Sequence, residues 1–254
     1  MATFNSRPVR AALWTAAITG FLIMATGRAQ AGDTPWQASA SYARSEFLRA
    51  RNQLRLDANN ATNAWRFARA AFDFAEFSTN TTERADIAGQ GIAASRSLVA
   101  REPKMAAGHY YLAMNLGQLA RTQFLGALRL VREMEHEFLA AAALDARLDY
   151  AGPERSLGLL YAEAPGWPVS IGSERKARPH AERAVQLAPE FPENHLDLIE
   201  AYLKWGEPEA AKKQLGSLEA HWPAARKKFT GDPWAQRWED WTARRAAARK
   251  QLGP

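Results

Sequence analysis

Glu133, Glu135, His136 and Glu137 place three carboxylates and an imidazole within five residues, the raw material of a metal site or a general acid–base pair. A helical zinc-protease motif needs a second histidine four residues after the first, on the same helix face, and position 140 is Ala140. The cluster therefore reads as a solvated helix face. His109, His136, His180, His195 and His221 are scattered, and the chain has no cysteine to complete a metal set. It also lacks a G-x-S-x-G elbow, a phosphate-binding glycine loop and any paired-carboxylate spacing suited to hydrolysis. These absences point to a non-catalytic protein with no metal and no cofactor.

Two groups of residues suit binding instead. Tyr110, Tyr111, Asn115, Gln118 and Arg121 fall on one helical stretch, and the last three repeat at three-residue spacing, so they share a side. That side either lines a concave surface or is an ordinary solvated one, and the solvated surface is the plainer of the two. The second group lies in Ala164-Pro165-Gly166-Trp167-Pro168-Val169-Ser170-Ile171-Gly172, where two prolines and two glycines bar a helix. Trp167 there either meets a partner or packs across the neighbouring hairpin.

The elements that must position these groups are helical. Trp65, Ala68 and Phe72 follow at i, i+3 and i+7 on one face. Ser78-Thr79-Asn80-Thr81-Thr82 is a polar turn with several candidate N-caps, and the Ala58–Pro103 repeat is expected to carry its extra length there. A long helix is expected from Phe124 to Leu144, and Pro153 suits the first turn of the next. Ser173 is expected to cap the helix that ends before Pro189. Asp232-Pro233 opens a last helix bearing Trp234, Trp238 and Trp241 on one face and Arg244, Arg245, Arg249 and Lys250 in its final turns. This helix is expected to cap a solenoid; the sharper alternative is an amphipathic helix lying in a lipid interface.

The chain opens differently. Arg7 and Arg10 precede an apolar run from Ala11 to Thr26, and Ala29-Gln30-Ala31 offers small residues where a signal peptidase reads. Residues 1–31 are thus expected to be a cleaved leader, leaving a periplasmic or secreted chain in which 32–231 form the repeat domain and 232–254 the Trp/Arg-rich cap. Losing Arg7, Arg10 and Arg28 lowers the net charge from +6 to +3, too mild to suggest nucleic acid. With no cysteine there is neither a disulfide nor a lipid-attachment thiol. Hydrophobic residues at 47% suffice for a sizeable core.

Pro189 and Pro223 lie 34 residues apart, and Leu157, Gly158 and Tyr161, then Ala177, Ala211 and Leu215, fall where the tetratricopeptide repeat (TPR) places its W-x2-L-G-x2-Y and A-x3-F residues. The sequence thus resembles a TPR protein, which implies an all-α solenoid of antiparallel helical hairpins. Gly117-Gln118-Leu119-Ala120-Arg121, Gly152-Pro153-Glu154-Arg155-Ser156-Leu157-Gly158, the Trp167 loop and Phe191-Pro192-Glu193-Asn194-His195 narrow the likeness. Over about Met105 to Pro223 the chain is similar to the T component of TPR-associated tripartite ATP-independent periplasmic (TRAP) transporters. That resemblance implies an exported subunit that docks a periplasmic solute-binding protein, holds a small organic ligand in a cleft or pore, and assembles as a homotrimer. It draws Arg155, Tyr161 and Ser170 into the candidate binding set beside Tyr110, Tyr111, Asn115, Gln118, Arg121 and Trp167. The other reading is a general TPR interaction scaffold in envelope assembly, with another envelope protein as partner.

Overall fold

Apolar residues at three- and four-residue spacing, interrupted by Pro, Gly and Asn, fold as one helix after another. The computed structural model describes residues 34–123 and 126–253. Among these residues are ten α-helices and no strand: α1 Pro35–Leu56, α2 Ala61–Phe77, α3 Thr81–Arg101, α4 Ala106–Ala120, α5 Ala127–Asp145, α6 Leu148–Glu163, α7 Glu174–Leu187, α8 Pro192–Lys204, α9 Pro208–Lys228 and α10 Asp232–Leu252. The expected leader lies outside the described residues, as does Phe124, the expected start of the long fifth helix. No helix among the described residues is long and apolar enough to cross a membrane.

Helix starts follow side-chain chemistry. Thr34 and Gln37 form a reciprocal capping box on α1, Asn80 accepts from Thr82 N and Glu83 N to open α3, and Ser173 accepts from Lys176 N to open α7. Proline occupies the first turn of α1, α8, α9 and α10, where its missing N–H leaves no acceptor empty. The cap of α10 is Gly231, one residue before the expected Asp232, because the chain turns there at φ 85°, a region that glycine enters freely. The extra length of the first repeat is not in its Thr-rich turn, which occupies only residues 78–80. It lies in the helices: α2 has 17 residues, against 13 in the corresponding α8.

Helices α2/α3, α4/α5, α6/α7 and α8/α9 pack as antiparallel hairpins, and each hairpin leans on the next, giving the expected all-α TPR-like solenoid. The core follows in three patches: around Phe47, Phe67 and Ile87 at the N-terminal end, around Tyr111, Leu116 and Leu157 in the middle, and around Phe191, Leu218 and Trp241 at the C-terminal end.

Helix α10 does two things. Trp238 and Trp241 are buried against the last hairpin, covering its apolar face. The same helix also packs along α1, so the two ends of the solenoid meet. At this seam Ser39 Oγ donates to Asp232 O at 3.0 Å and accepts from Gln236 N at 3.3 Å. Trp238 and Trp241 thus serve α10 as a cap on the last hairpin.

Candidate functional site

Closing the ring turns the concave face into a chamber of about 700 Å³. Its walls come from α1, from the first helix of each hairpin (α2, α4, α6 and α8) and from α10, with α5 contributing Met134 and Phe138. Aromatic rings supply most of the apolar wall, among them Trp36, Trp65, Tyr110, Tyr111 and Trp234. Trp65 and Tyr111 stack with centroids 6.2 Å apart and planes 11° from parallel, and Tyr110 meets Tyr111 edge-on at 5.0 Å. Five arginines (49, 66, 69, 155 and 237) and five carboxylates (46, 73, 76, 149 and 193) also line the chamber, so its formal charges balance.

Most of these charges are held by close partners. Arg237 pairs with Glu193 at 2.6 Å, and Glu76 accepts from Arg121 at 3.1 Å and from Gln118. Arg155 Nη1 donates to Tyr150 O at 3.1 Å and Asn194 Oδ1 at 2.9 Å, and the guanidinium lies over the Phe191 ring at 5.0 Å. The pair on α2 is looser: Arg69 and Asp73 approach only to 3.6 Å, with side chains 47% and 39% open. That open surface faces the concave chamber. Burial there raises the Asp73 carboxyl above its usual range against the pull of Arg69, and likewise raises Glu76 against Arg121. Burial would also raise Glu193, but Arg237, Arg155 and Arg244 outweigh it and hold that carboxyl low.

One stretch of wall has unusual backbone. Asp149, Tyr150 and Ala151 all adopt left-handed dihedrals, with φ of 49°, 58° and 60°. Non-glycine residues pay roughly 1–2 kcal/mol each for this, so the surroundings must hold them. Asn194 Nδ2 and Arg155 Nη1 both donate to Tyr150 O, and the Tyr150 ring stacks on Phe191 at 4.8 Å. Asp149 thereby accepts from the Tyr110 hydroxyl at 3.3 Å. Gly152 makes room for that hydroxyl, since a Cβ there would fall 2.4 Å from the Tyr110 oxygen.

The structure divides the candidate residues. Tyr110, Tyr111, Gln118 and Arg155 line the chamber. Arg121 reaches it through its pair with Glu76. Asn115 is fully buried and ties α4 to α2, donating to Ala68 O at 2.9 Å and Tyr111 O at 2.7 Å. The solvated reading of this helix side is thus overturned, because Tyr110, Asn115 and Gln118 face the protein interior. Tyr161 is buried between hairpins, donating to Glu135 at 2.7 Å and stacking on His180. Trp167 and Ser170 belong to the outer loop, where Trp167 is 88% exposed instead of packing across the hairpin. Gly172 lets this loop close: a Cβ there would lie 2.0 Å from Ala164 O.

Sequence reasoning missed Arg69, Asp73, Glu76, Asp149, Glu193 and Arg237. A signal for the first three existed: Trp65, Arg69, Asp73 and Glu76 recur at i, i+4, i+8 and i+11, one stripe of α2. A charged stripe looks like a solvated face until the ring encloses it. Among the described residues, no group of three His, Cys, Asp or Glu side chains could hold a metal ion.

No family model matches the chain, and no curated protein matches it. Among solved structures, the crystal structure of a thermophilic TPR protein of Thermus thermophilus aligns with a TM-score of 0.59 at 19% identity, covering 84% of this chain and 96% of that one. At that identity the likeness is one of fold. It places this chain in the TPR-like α-solenoid class.

Proposed function

We propose that this chain is an exported, non-catalytic binding subunit that encloses a small organic solute and docks a periplasmic solute-binding protein, as the T component of a TRAP-type uptake system. The observation that carries the reading is the concave chamber bounded by the contact of α1 with α10. An open TPR solenoid presents its concave face as a long groove suited to a peptide or protein. Here α10 meets α1, and the groove becomes a space within the range of small-molecule sites. The exposed Trp167 and Val169, on a loop braced by Gly172 N to Pro165 O at 2.9 Å, supply a rigid apolar contact for the docked partner.

The test is a pull-down from native periplasm with the mature chain, residues 32–254. Recovery of a solute-binding protein, weakened at least about tenfold by Trp167→Ala, supports the transport reading. Recovery of envelope-assembly factors without a solute-binding protein overturns it in favour of a general scaffold. Trp167 is exposed and lies outside the apolar core, so its replacement is expected to leave the fold intact, which circular dichroism verifies.

A further inference from the structure

The chamber's ligand is constrained by which of its charges remain uncommitted. Arg237, Arg155 and Glu76 each hold a partner at or below about 3.1 Å, at hydrogen-bond distance. The Arg69–Asp73 contact, at 3.6 Å, is longer than a hydrogen bond. Both side chains keep more than a third of their surface open, and both line the chamber. One turn before Arg69 on the same face of α2, Trp65 stacks on Tyr111. A guanidinium, a carboxylate and an aromatic wall are therefore offered side by side.

The overall charge of the lining is the second constraint. Arginines and carboxylates are nearly equal in number around the wall, so neither sign dominates the lining. A molecule bearing both charges loses nothing to that balance and gains a partner for each of its ends. The chamber's volume, about 700 Å³, admits more than a single amino acid.

We propose that the chamber binds a zwitterionic solute with an aromatic side group, of the size of an aromatic amino acid to a dipeptide. Its carboxylate pairs with Arg69, its ammonium with Asp73, and its ring lies against the Trp65–Tyr111 wall. Entering between the two side chains, the ligand replaces one loose ion pair with two charge-assisted hydrogen-bonded ones. This inference rests on the reading of the chamber as a solute site and names the class of solute.

Isothermal titration calorimetry of the full chain tests it with four probes: L-tryptophan, glycyl-L-tryptophan, tryptamine and indole-3-propionate. At least one zwitterion is expected to bind, with tryptamine and indole-3-propionate each at least about tenfold weaker than it. Arg69→Gln is expected to weaken the zwitterion by about tenfold without weakening tryptamine, while Asp73→Asn weakens the zwitterion without weakening indole-3-propionate. Both side chains are partly open and outside the apolar core, and circular dichroism verifies that the variants fold. Binding by neither zwitterion, single-charge probes within about tenfold of the zwitterion, or an Arg69→Gln affinity equal to that of the parent each overturns the proposal. The pull-down is scored separately: capture of a solute-binding protein without zwitterion binding sinks the ligand class alone, and failure of both removes the transport reading as well.

Discussion

At the residue scale, the chamber wall depends on positions where a small change has nowhere to go. Tyr110 is fully buried, its hydroxyl meets Asp149, and Gly152 leaves the space that hydroxyl occupies. Gly152→Ala is expected to destabilise the protein by about 1–3 kcal/mol, read from urea unfolding, because the new methyl must displace a packed ring. Unchanged stability would mean that Tyr110 does not sit against this glycine. Asn194 has a different part in the same wall. The two hydrogens of its amide are shared among Ala184 O and Ala188 O at the C-terminal end of α7 and Tyr150 O in the left-handed turn, and its Oδ1 accepts from Arg155. Asn194→Ala removes these bonds, takes one acceptor from the buried Arg155, and is expected to cost about 2–3 kcal/mol in the same measurement.

At the element scale, α8 joins the chamber to the closing helix. Arg244 of α10 reaches Asp197 at 2.5 Å and Glu200 at 3.0 Å on α8, and Asp240 at 3.4 Å on its own helix, all within a buried seam. Arg244→Met is expected to cost about 3–5 kcal/mol, since it strands buried carboxylates without their counter-charge. Helix α8 also carries His195, which is fully buried. Its Nε2–H donates to Pro189 O at 2.7 Å, and its Nδ1 accepts from the Gln214 amide. Burial lowers the His195 pKa below its ordinary 6.5, with the Pro189 carbonyl opposing and His221 reinforcing the shift. The unfolded chain therefore takes up a proton before the folded one does. The stability due to neutral His195 is present above about pH 6.5 and is lost as pH falls below it. Thermal melts from about pH 7.5 down to about pH 5 should show a falling midpoint, and His195→Gln should flatten that dependence.

At the scale of the whole molecule, closure of the ring decides what the concave face can meet. Trp241 is 1% exposed and packs against Phe191, Phe229, Trp234 and Trp238. Trp241→Ala is therefore expected to cost about 3–5 kcal/mol. Removing residues 232–254 uncovers the last hairpin and opens the seam at Ser39. The truncated protein is expected to lose solubility, while the intact protein shows no binding to liposomes in a flotation assay. Liposome binding by the intact protein would show that α10 leaves the seam for a lipid surface.

Local patterns determined what local physics controls. The helical spacing around Trp65, the caps at Asn80 and Ser173 and the Pro/Gly stretch around Trp167 all rest on interactions within a few residues, so the helical hairpins were legible from the sequence, although Pro223, expected to close a repeat, lies inside α9. Four of the candidate residues, Tyr110, Tyr111, Gln118 and Arg155, were found because they sit within those repeats. The left-handed turn at Asp149–Ala151 carries no glycine to announce it, and residues distant in sequence hold it in place. The contact between α1 and α10 joins residues nearly two hundred positions apart, beyond the reach of any local pattern. Only that closure gives Arg69, Asp73, Glu76, Glu193 and Arg237 a common interior, because the same charged stripes on an open solenoid would face water.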